Sequence, residues 1–391
     1  MKNALRYLLL ALPIILPTYL LRLKIGPLPT TVLEIVVLAI IGLFTVTYKG
    51  QGYKDAWTAL KTFRLPLIAF TFFSLAAVFW SPVLVQGLGL WRAYVLEPML
   101  LLMVFVVSIG RDVRREEIER SLYVSVLLLA MWGVVEYLFG VGIPSPWNVA
   151  ISEGRRATGP FPYPNALALA VVPIGAYGLS RFISSRDRLG FITFVMALIA
   201  SFVARSDGGF IALAAVLWLA LVSIKRLRWP VIVVTIIGLA VGFGVSEIRE
   251  PVLKELRLEN WSGYVRKKMW QDTTVLLKDH PIKGAGMAGY PTVFKPYQTT
   301  TGIEVFQYPH NIILNFWVET GLAGLLAFFW IVFAWLKKKE AMLLPLVALL
   351  IHGLVDVPYF KNDLAIVFFL MLALCAITQS ASSRTSQGQV K

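Results

Sequence analysis

The sequence predicts an all-α polytopic membrane protein of about 12 transmembrane helices with one large extracytoplasmic loop. Of 391 residues, 58% are hydrophobic and only 15% are charged, too little polar surface to cover a soluble core of this size. The apolar residues fall in blocks of roughly 17–22, the length that crosses about 30 Å of hydrocarbon as helix. The blocks do not alternate apolar and polar residues as the strands of a membrane barrel would.

In chain order the helices are expected near 5–21, 30–47, 66–84, 92–109, 121–139, 164–180, 189–204, 210–224, 230–246, 311–335, 341–357 and 363–379. The N-terminal block follows Lys2 and Arg6 but has no small-x-small cleavage site, and further spans follow it. It is therefore expected to be the first helix rather than a signal peptide. Residues 1–246 form helices one to nine, 247–310 a large loop containing an amphipathic helix, 311–379 helices ten to twelve, and 380–391 a Ser/Gln-rich disordered cytoplasmic tail. With the N-terminus inside, the inner segments collect 21 of the 37 Lys and Arg residues, Lys339 and Lys391 among them. The short outer loops hold seven, so the long loop faces the periplasm or cell exterior. The net charge of +15 thus belongs to helix ends and topology rather than to nucleic acid. The lone Cys375 excludes an internal disulfide and CxxC-type metal ligation. No internal repeat is visible, which weighs against transporters built from two related halves.

The outer face keeps a few arginines in pointed places. Arg155 and Arg156 precede the helix opened by Pro164-Asn165, Arg205 occupies a very short turn, and Arg266 lies in the long loop. Around Arg266, Val265, Met269 and Leu276 recur at helical spacing between Ser262 and Asp279. This segment is expected to be amphipathic and to lie along the membrane surface. Guanidinium groups remain charged and donate paired hydrogen bonds to phosphate oxygens. Converging arginines at this depth therefore point to a lipid-linked phosphate or diphosphate, against the blander alternative of arginines reaching for headgroups.

His310 follows Tyr308-Pro309 at the start of a span. A helix N-terminus disfavours imidazolium, keeping the ring neutral and able to take a proton. On a continuous helix Gly321 and Gly324 return near the His310 face, where they would admit another helix. Glu319 falls opposite and is expected to be a structural hydrogen-bond partner. Arg92 and Glu97 are five apart, about 140° around an α-helix, which argues against a direct pair. His352 and Asp356 share a helix face as either a buried hydrogen-bonded pair or support for the site. His280-Pro281 and Gly284-Ala-Gly286 form a helix end and a turn. There is no DxD pair, GxxxxGK[ST] loop or HExxH motif. No metal and no cofactor are expected, and a substrate must arrive already activated.

His310-Asn311, nine residues, then Gly321-Leu322-Ala323-Gly324 resembles the histidine signature of the O-antigen ligase family. That family is part of a superfamily of membrane glycosyltransferases that also holds O-antigen polymerases and protein O-oligosaccharyltransferases. Arg156 with Gly159 and Pro164-Asn165 resembles the family's segment before a middle helix. Arg205-Ser206 resembles its short outer turn, with Arg and Ser in reversed order. Arg266, Trp270 and His280-Pro281-Ile282-Lys283-Gly284-Ala285-Gly286 resemble the start of its large periplasmic loop. The resemblance runs from about residue 90 to 360.

It implies a GT-C-like arrangement of helices in the cytoplasmic membrane, with an active site on the outer face. A glycan would pass from an undecaprenyl-diphosphate carrier to a glycan or lipid-core acceptor, by inverting, metal-independent transfer. His310 and Arg266 would be catalytic; Arg156, Arg205, Arg266 and Arg155 would hold the diphosphate. Asn311, Glu319, Gly321, Gly324, His352 and Asp356 would support them. A polymerase using a second lipid-linked glycan as acceptor, a protein-glycosylating relative and a transporter of lipid-linked glycans are the competing readings.

Overall fold

The computed structural model describes residues 1–25, 28–300, 306–338 and 342–387. Lys339 and Lys391 of the inner charges, 301–305 of the long loop and 388–391 of the tail lie outside them.

Each apolar block is helical. Helix α1 (Lys2–Ile15) tightens into a 3₁₀ turn over Leu16–Leu20 and leads into a short hairpin, β1 (Arg22–Ile25) and β2 (Leu28–Thr31). Thr31 then opens α2 (Val32–Ala59) with a reciprocal cap. Its hydroxyl accepts from Glu34 N at 3.2 Å, and its own N–H donates to Glu34 Oε2 at 3.1 Å. Next come α3 (Arg64–Phe79), α4 (Leu84–Trp91) and α5 (Glu97–Ser108), the last two joined by a π-turn over Arg92–Leu96. The middle of the chain holds α6 (Arg115–Phe139), α7 (Pro164–Ser185), α8 (Arg188–Val203), α9 (Asp207–Ser223) and α10 (Arg228–Gly244). The long loop contains α11 (Ser246–Leu256), α12 (Trp261–Asp279) and α13 (Tyr290–Phe294). The chain ends with α14 (Ile312–Leu336), α15 (Leu343–Gly353) and α16 (Asn362–Gln387).

Among the described residues, six helical stretches are long and apolar enough to cross a membrane: Lys2–Leu20, Val32–Ala59, Leu84–Ser108, Arg115–Phe139, Pro164–Ser185 and Ile312–Leu336. Six further apolar helices are shorter. This is the architecture of a polytopic all-α membrane protein. Lipid supplies no hydrophobic drive between helices, so close packing must hold them together. At the crossing of α7 and α8, Gly178 and Gly190 meet backbone to backbone, and a Cβ on either would collide with the other's carbonyl oxygen. On α10 the side chains of Val233, Val234, Ile236 and Ile237 are exposed, an apolar face suited to acyl chains. Charges expected inside pair with one another at one end of the bundle: Arg6 with Glu117 at 2.6 Å, Arg111 with Asp55 at 3.0 Å, and Arg115 and Arg181 with Glu119 at 2.8 and 3.2 Å.

Two expectations are corrected. Arg92 and Glu97 do form an ion pair, Nε to Oε1 at 3.2 Å, and Arg92 also reaches Glu34 at 3.0 Å. The π-turn between them, in which Glu97 N–H bonds Arg92 C=O, brings residues five apart onto one side. The apolar face of α12 is not free to lie on a membrane surface. Met269, Leu276 and Leu277 are buried against Ala285, Tyr290, Phe294 and Val318 in a small second core.

Candidate active site

Helix α14 carries His310 at its mouth. Asn311 is the N-cap: its Oδ1 accepts from Ile313 N and Leu314 N at 3.0 and 3.1 Å, satisfying donors that have no intrahelical partner. Its Nδ2 donates to Leu354 O at 2.9 Å, tying the start of α14 to the end of α15. His310 itself stands in left-handed backbone, φ +47°, an uncommon state for a non-glycine residue. Trp270 of α12 fixes the preceding carbonyl, donating to Pro309 O at 2.8 Å.

Helix α14 does not run unbroken beneath the histidine. At Gly321 the backbone turns to φ +69°, ψ 175°, and the loop between α12 and α13 fills the break. Val318 O accepts from Ala285 N and Gly286 N at 2.7 and 3.0 Å, while Leu322 N donates to Ile282 O at 2.9 Å. Backbone groups released by the break are thus satisfied by protein, as an apolar setting demands. A Cβ on Gly321 would stand 2.6 Å from Ile282 O. The approach at this glycine is therefore by a loop backbone and not by another helix, as the spacing argument expects. Gly324 faces Thr320 of its own helix. Glu319 is a structural partner, its Oε2 accepting from Ala288 N at 2.6 Å.

The site is a chain of contacts. His310 Nδ1 lies 3.2 Å from Asp356 Oδ1, and Asp356 Oδ2 accepts from Asn165 Nδ2 at 3.1 Å. Asn165 Oδ1 in turn accepts from Arg156 Nη2 at 2.8 Å. The carboxylate can only accept from the ring, so Nδ1 carries a proton and Nε2 is the nitrogen left to face a ligand. Helix α15 ends at Gly353, three residues before Asp356, so this carboxylate pairs with His310 and not with His352 as the four-residue spacing allowed. His352 is buried beside Gly208 and its Nδ1 has no hydrogen-bond partner among the described residues.

Arg156 donates from Nε to Ala204 O at 2.9 Å and from Nη2 to Arg205 O at 3.1 Å, and stacks over Trp147 at 5.0 Å. These bonds and that to Asn165 account for its Nε and Nη2 hydrogens, leaving Nη1 for a ligand. Burial lowers the Arg156 pKa, and the charges of Arg266 and Arg205 push the same way against Asp207. The three arginines therefore stand within electrostatic reach of one another. Among the described residues none of them forms an ion pair. Arg205 has φ +48° and an exposed side chain, with Gly154 packed against its guanidinium.

Arg155 is placed differently. Its guanidinium donates to Val149 O at 2.8 Å, Tyr137 O at 3.0 Å and Leu138 O at 3.3 Å, the last two at the C-terminus of α6. It caps that helix and turns away from the other three. The residues that set the Arg156 loop carry no sequence signal. Buried Glu136 accepts from Thr158 N and Gly159 N, both at 2.8 Å, and so holds the backbone two residues past Arg156. Tyr163 and Tyr308 share a hydroxyl hydrogen bond at 2.8 Å, and the Tyr308 and His310 rings are 4.7 Å apart. Burial raises the pKa of both tyrosines, so they remain phenols.

The fold and site define a polytopic membrane protein with a histidine–carboxylate pair linked through Asn165 to Arg156, with Arg205 and Arg266 in electrostatic reach of it. Residues 192–329 match the family model described as O-antigen ligase. This stretch, about a third of the chain, is similar to the O-antigen ligase family. It contains Arg205, Arg266, His310, Glu319, Gly321 and Gly324, whereas Arg156 and Asp356 lie outside it. An uncharacterized protein of Haemophilus influenzae is 25% identical over 158 residues, covering 35% of this chain and 40% of that protein.

Proposed function

We propose that the protein transfers a glycan from an undecaprenyl-diphosphate carrier to an acceptor hydroxyl on the outer side of the cytoplasmic membrane, as an inverting, metal-independent ligase. The observation that carries this reading is the continuous link from Arg156 through Asn165 and Asp356 to His310. It couples a place for a diphosphate to a place for a proton. The site would lie at the periplasmic ends of twelve spans in a GT-C-like arrangement, with the 247–310 loop over it and membrane lipids around it.

In this mechanism Arg156, Arg205 and Arg266 bind the diphosphate and stabilise the negative charge that grows as it leaves. The bond between the anomeric carbon and the diphosphate oxygen breaks, its electron pair departing with the phosphate. The acceptor oxygen attacks from the opposite face of the sugar, and its proton passes to His310 Nε2. Asp356 holds the ring by Nδ1 and stabilises the imidazolium that forms. No nucleotide is needed, because the diphosphate is the leaving group.

The test is to incubate the detergent-purified full chain with undecaprenyl-diphosphate-linked glycan and candidate acceptors, beside His310→Ala. Release of undecaprenyl diphosphate that depends on His310 supports transfer. One addition per acceptor means ligase, and a ladder of lengths means polymerase. A fully active His310→Ala protein would sink the assignment.

A further inference from the structure

A second group of polar side chains stands on the other flank of the histidine–carboxylate pair. Lys361 lies in the loop between α15 and α16, the same loop that carries Asp356. Its Nζ is 4.0 Å from the centre of the Tyr163 ring. Tyr163 bonds Tyr308, whose ring lies against His310. Two residues on, Asp363 is 2% exposed. Lys361 Nζ and Asp363 Oδ1 are both buried, and neither has a hydrogen-bond partner among the described residues. Unpaired buried donors and acceptors are costly, which makes them unusual unless something else satisfies them.

The chemistry differs from that of the arginine cluster. There, Arg156, Arg205 and Arg266 outnumber the Asp207 carboxylate and form no ion pair among the described residues, an arrangement for an anion. Here one cation, Lys361, stands in electrostatic reach of the carboxylates of Asp363 and Asp356 and forms no hydrogen bond with either among the described residues. A phosphate at Lys361 would meet the free Asp363 oxygen and be repelled. A neutral polyhydroxylated ligand suits both, because a sugar hydroxyl donates to the carboxylate and accepts from the ammonium. Tyr163, under the Lys361 ammonium, and Tyr308, joined to it through their hydroxyls, border this pair.

We propose that Lys361, Asp363, Tyr163 and Tyr308 form a carbohydrate subsite that seats the acceptor sugar beside His310, on the flank away from the arginines. This rests on the glycosyl-transfer reading for its role, though not for the binding itself.

The test uses the full chain in detergent and saturation-transfer NMR with methyl glycosides of glucose, galactose and N-acetylglucosamine, beside inorganic diphosphate binding by calorimetry. Lys361→Met, which keeps the aliphatic stem, and the isosteric Asp363→Asn are compared with Arg266→Ala. Each is first checked for monodispersity and an unfolding transition. The glycoside signal is expected to fall about fivefold or more in Lys361→Met and Asp363→Asn and to persist in Arg266→Ala, with diphosphate binding showing the reverse pattern. A signal that survives both loop substitutions, that vanishes in Arg266→Ala, or that is absent from the wild type with every glycoside overturns the subsite. Glycoside binding as expected without His310-dependent release would keep the subsite and reject the transferase reading.

Discussion

Asp356 accepts from Asn165 at 3.1 Å through one oxygen and contacts His310 Nδ1 at 3.2 Å through the other. One buried carboxylate thereby fixes both the tautomer of the histidine and the amide that orients Arg156. Asp356→Asn keeps the shape but can offer its amide hydrogens to the ring, favouring the wrong tautomer. Transfer should fall roughly 10²–10⁴-fold in kcat, with donor KM changed little. Rate measurements across donor concentration check this, and a variant within about threefold of wild type would remove Asp356 from the mechanism.

Arg156 is held by geometry as well as charge. Arg156→Lys preserves the charge but loses the fork that joins Asn165 Oδ1 and Ala204 O. Activity should drop about tenfold or more (~1.4 kcal/mol), and added lysine charge elsewhere should not restore it. Inhibition by inorganic diphosphate should weaken in parallel.

Arg155 and its neighbour should separate cleanly. Arg155→Ala removes the cap from α6 and should lower stability by roughly 1–2 kcal/mol while leaving donor KM within about twofold. Arg156→Ala should do the opposite. Thermal unfolding in detergent, read beside donor titrations, distinguishes them. A donor defect in Arg155→Ala would mean that its guanidinium leaves the α6 carbonyls when substrate binds.

Gly321 accepts no side chain. At φ +69° and with Ile282 O 2.6 Å from a built Cβ, Gly321→Ala should destabilise by about 1–3 kcal/mol. The same substitution at Gly324 also meets a clash, its Cβ running into Thr320 Cβ, but its helical backbone carries no positive-φ strain, so it should cost less. Unfolding midpoints of the two variants test the ranking, and an unchanged midpoint for Gly321→Ala would show that the loop can withdraw freely.

The apolar helices were legible because block length is a local signal. The pairings were not. His310 and Asp356 are 46 positions apart, and no periodicity joins residues on different helices. Helical arithmetic also failed wherever the helix was not an α-helix at the decisive point. It failed at the π-turn after Arg92, at the end of α15 before Asp356, and at Gly321, where α14 is interrupted. Glu319 is the counterexample: read as a structural hydrogen-bond partner, it lies within the unbroken half of α14 and binds Ala288. Glu136 and Lys361 gave no signal, since a lone charged residue near a helix end has many ordinary explanations.

The interruption of α14 changes what the histidine is mechanically attached to. The short outer segment, Ile312 to Thr320, is stitched through Val318 to Ala285 and Gly286, and through Trp317 to Pro281. The loop between α12 and α13 is in turn fastened to α3 through Trp80 and Lys283. His310 therefore rides on a plate made of loop and half-helix, with Gly321 as its seam. A ligand that pulls on the loop should move His310 with it, while the longer half of α14 beyond Gly321 stays anchored among its neighbours.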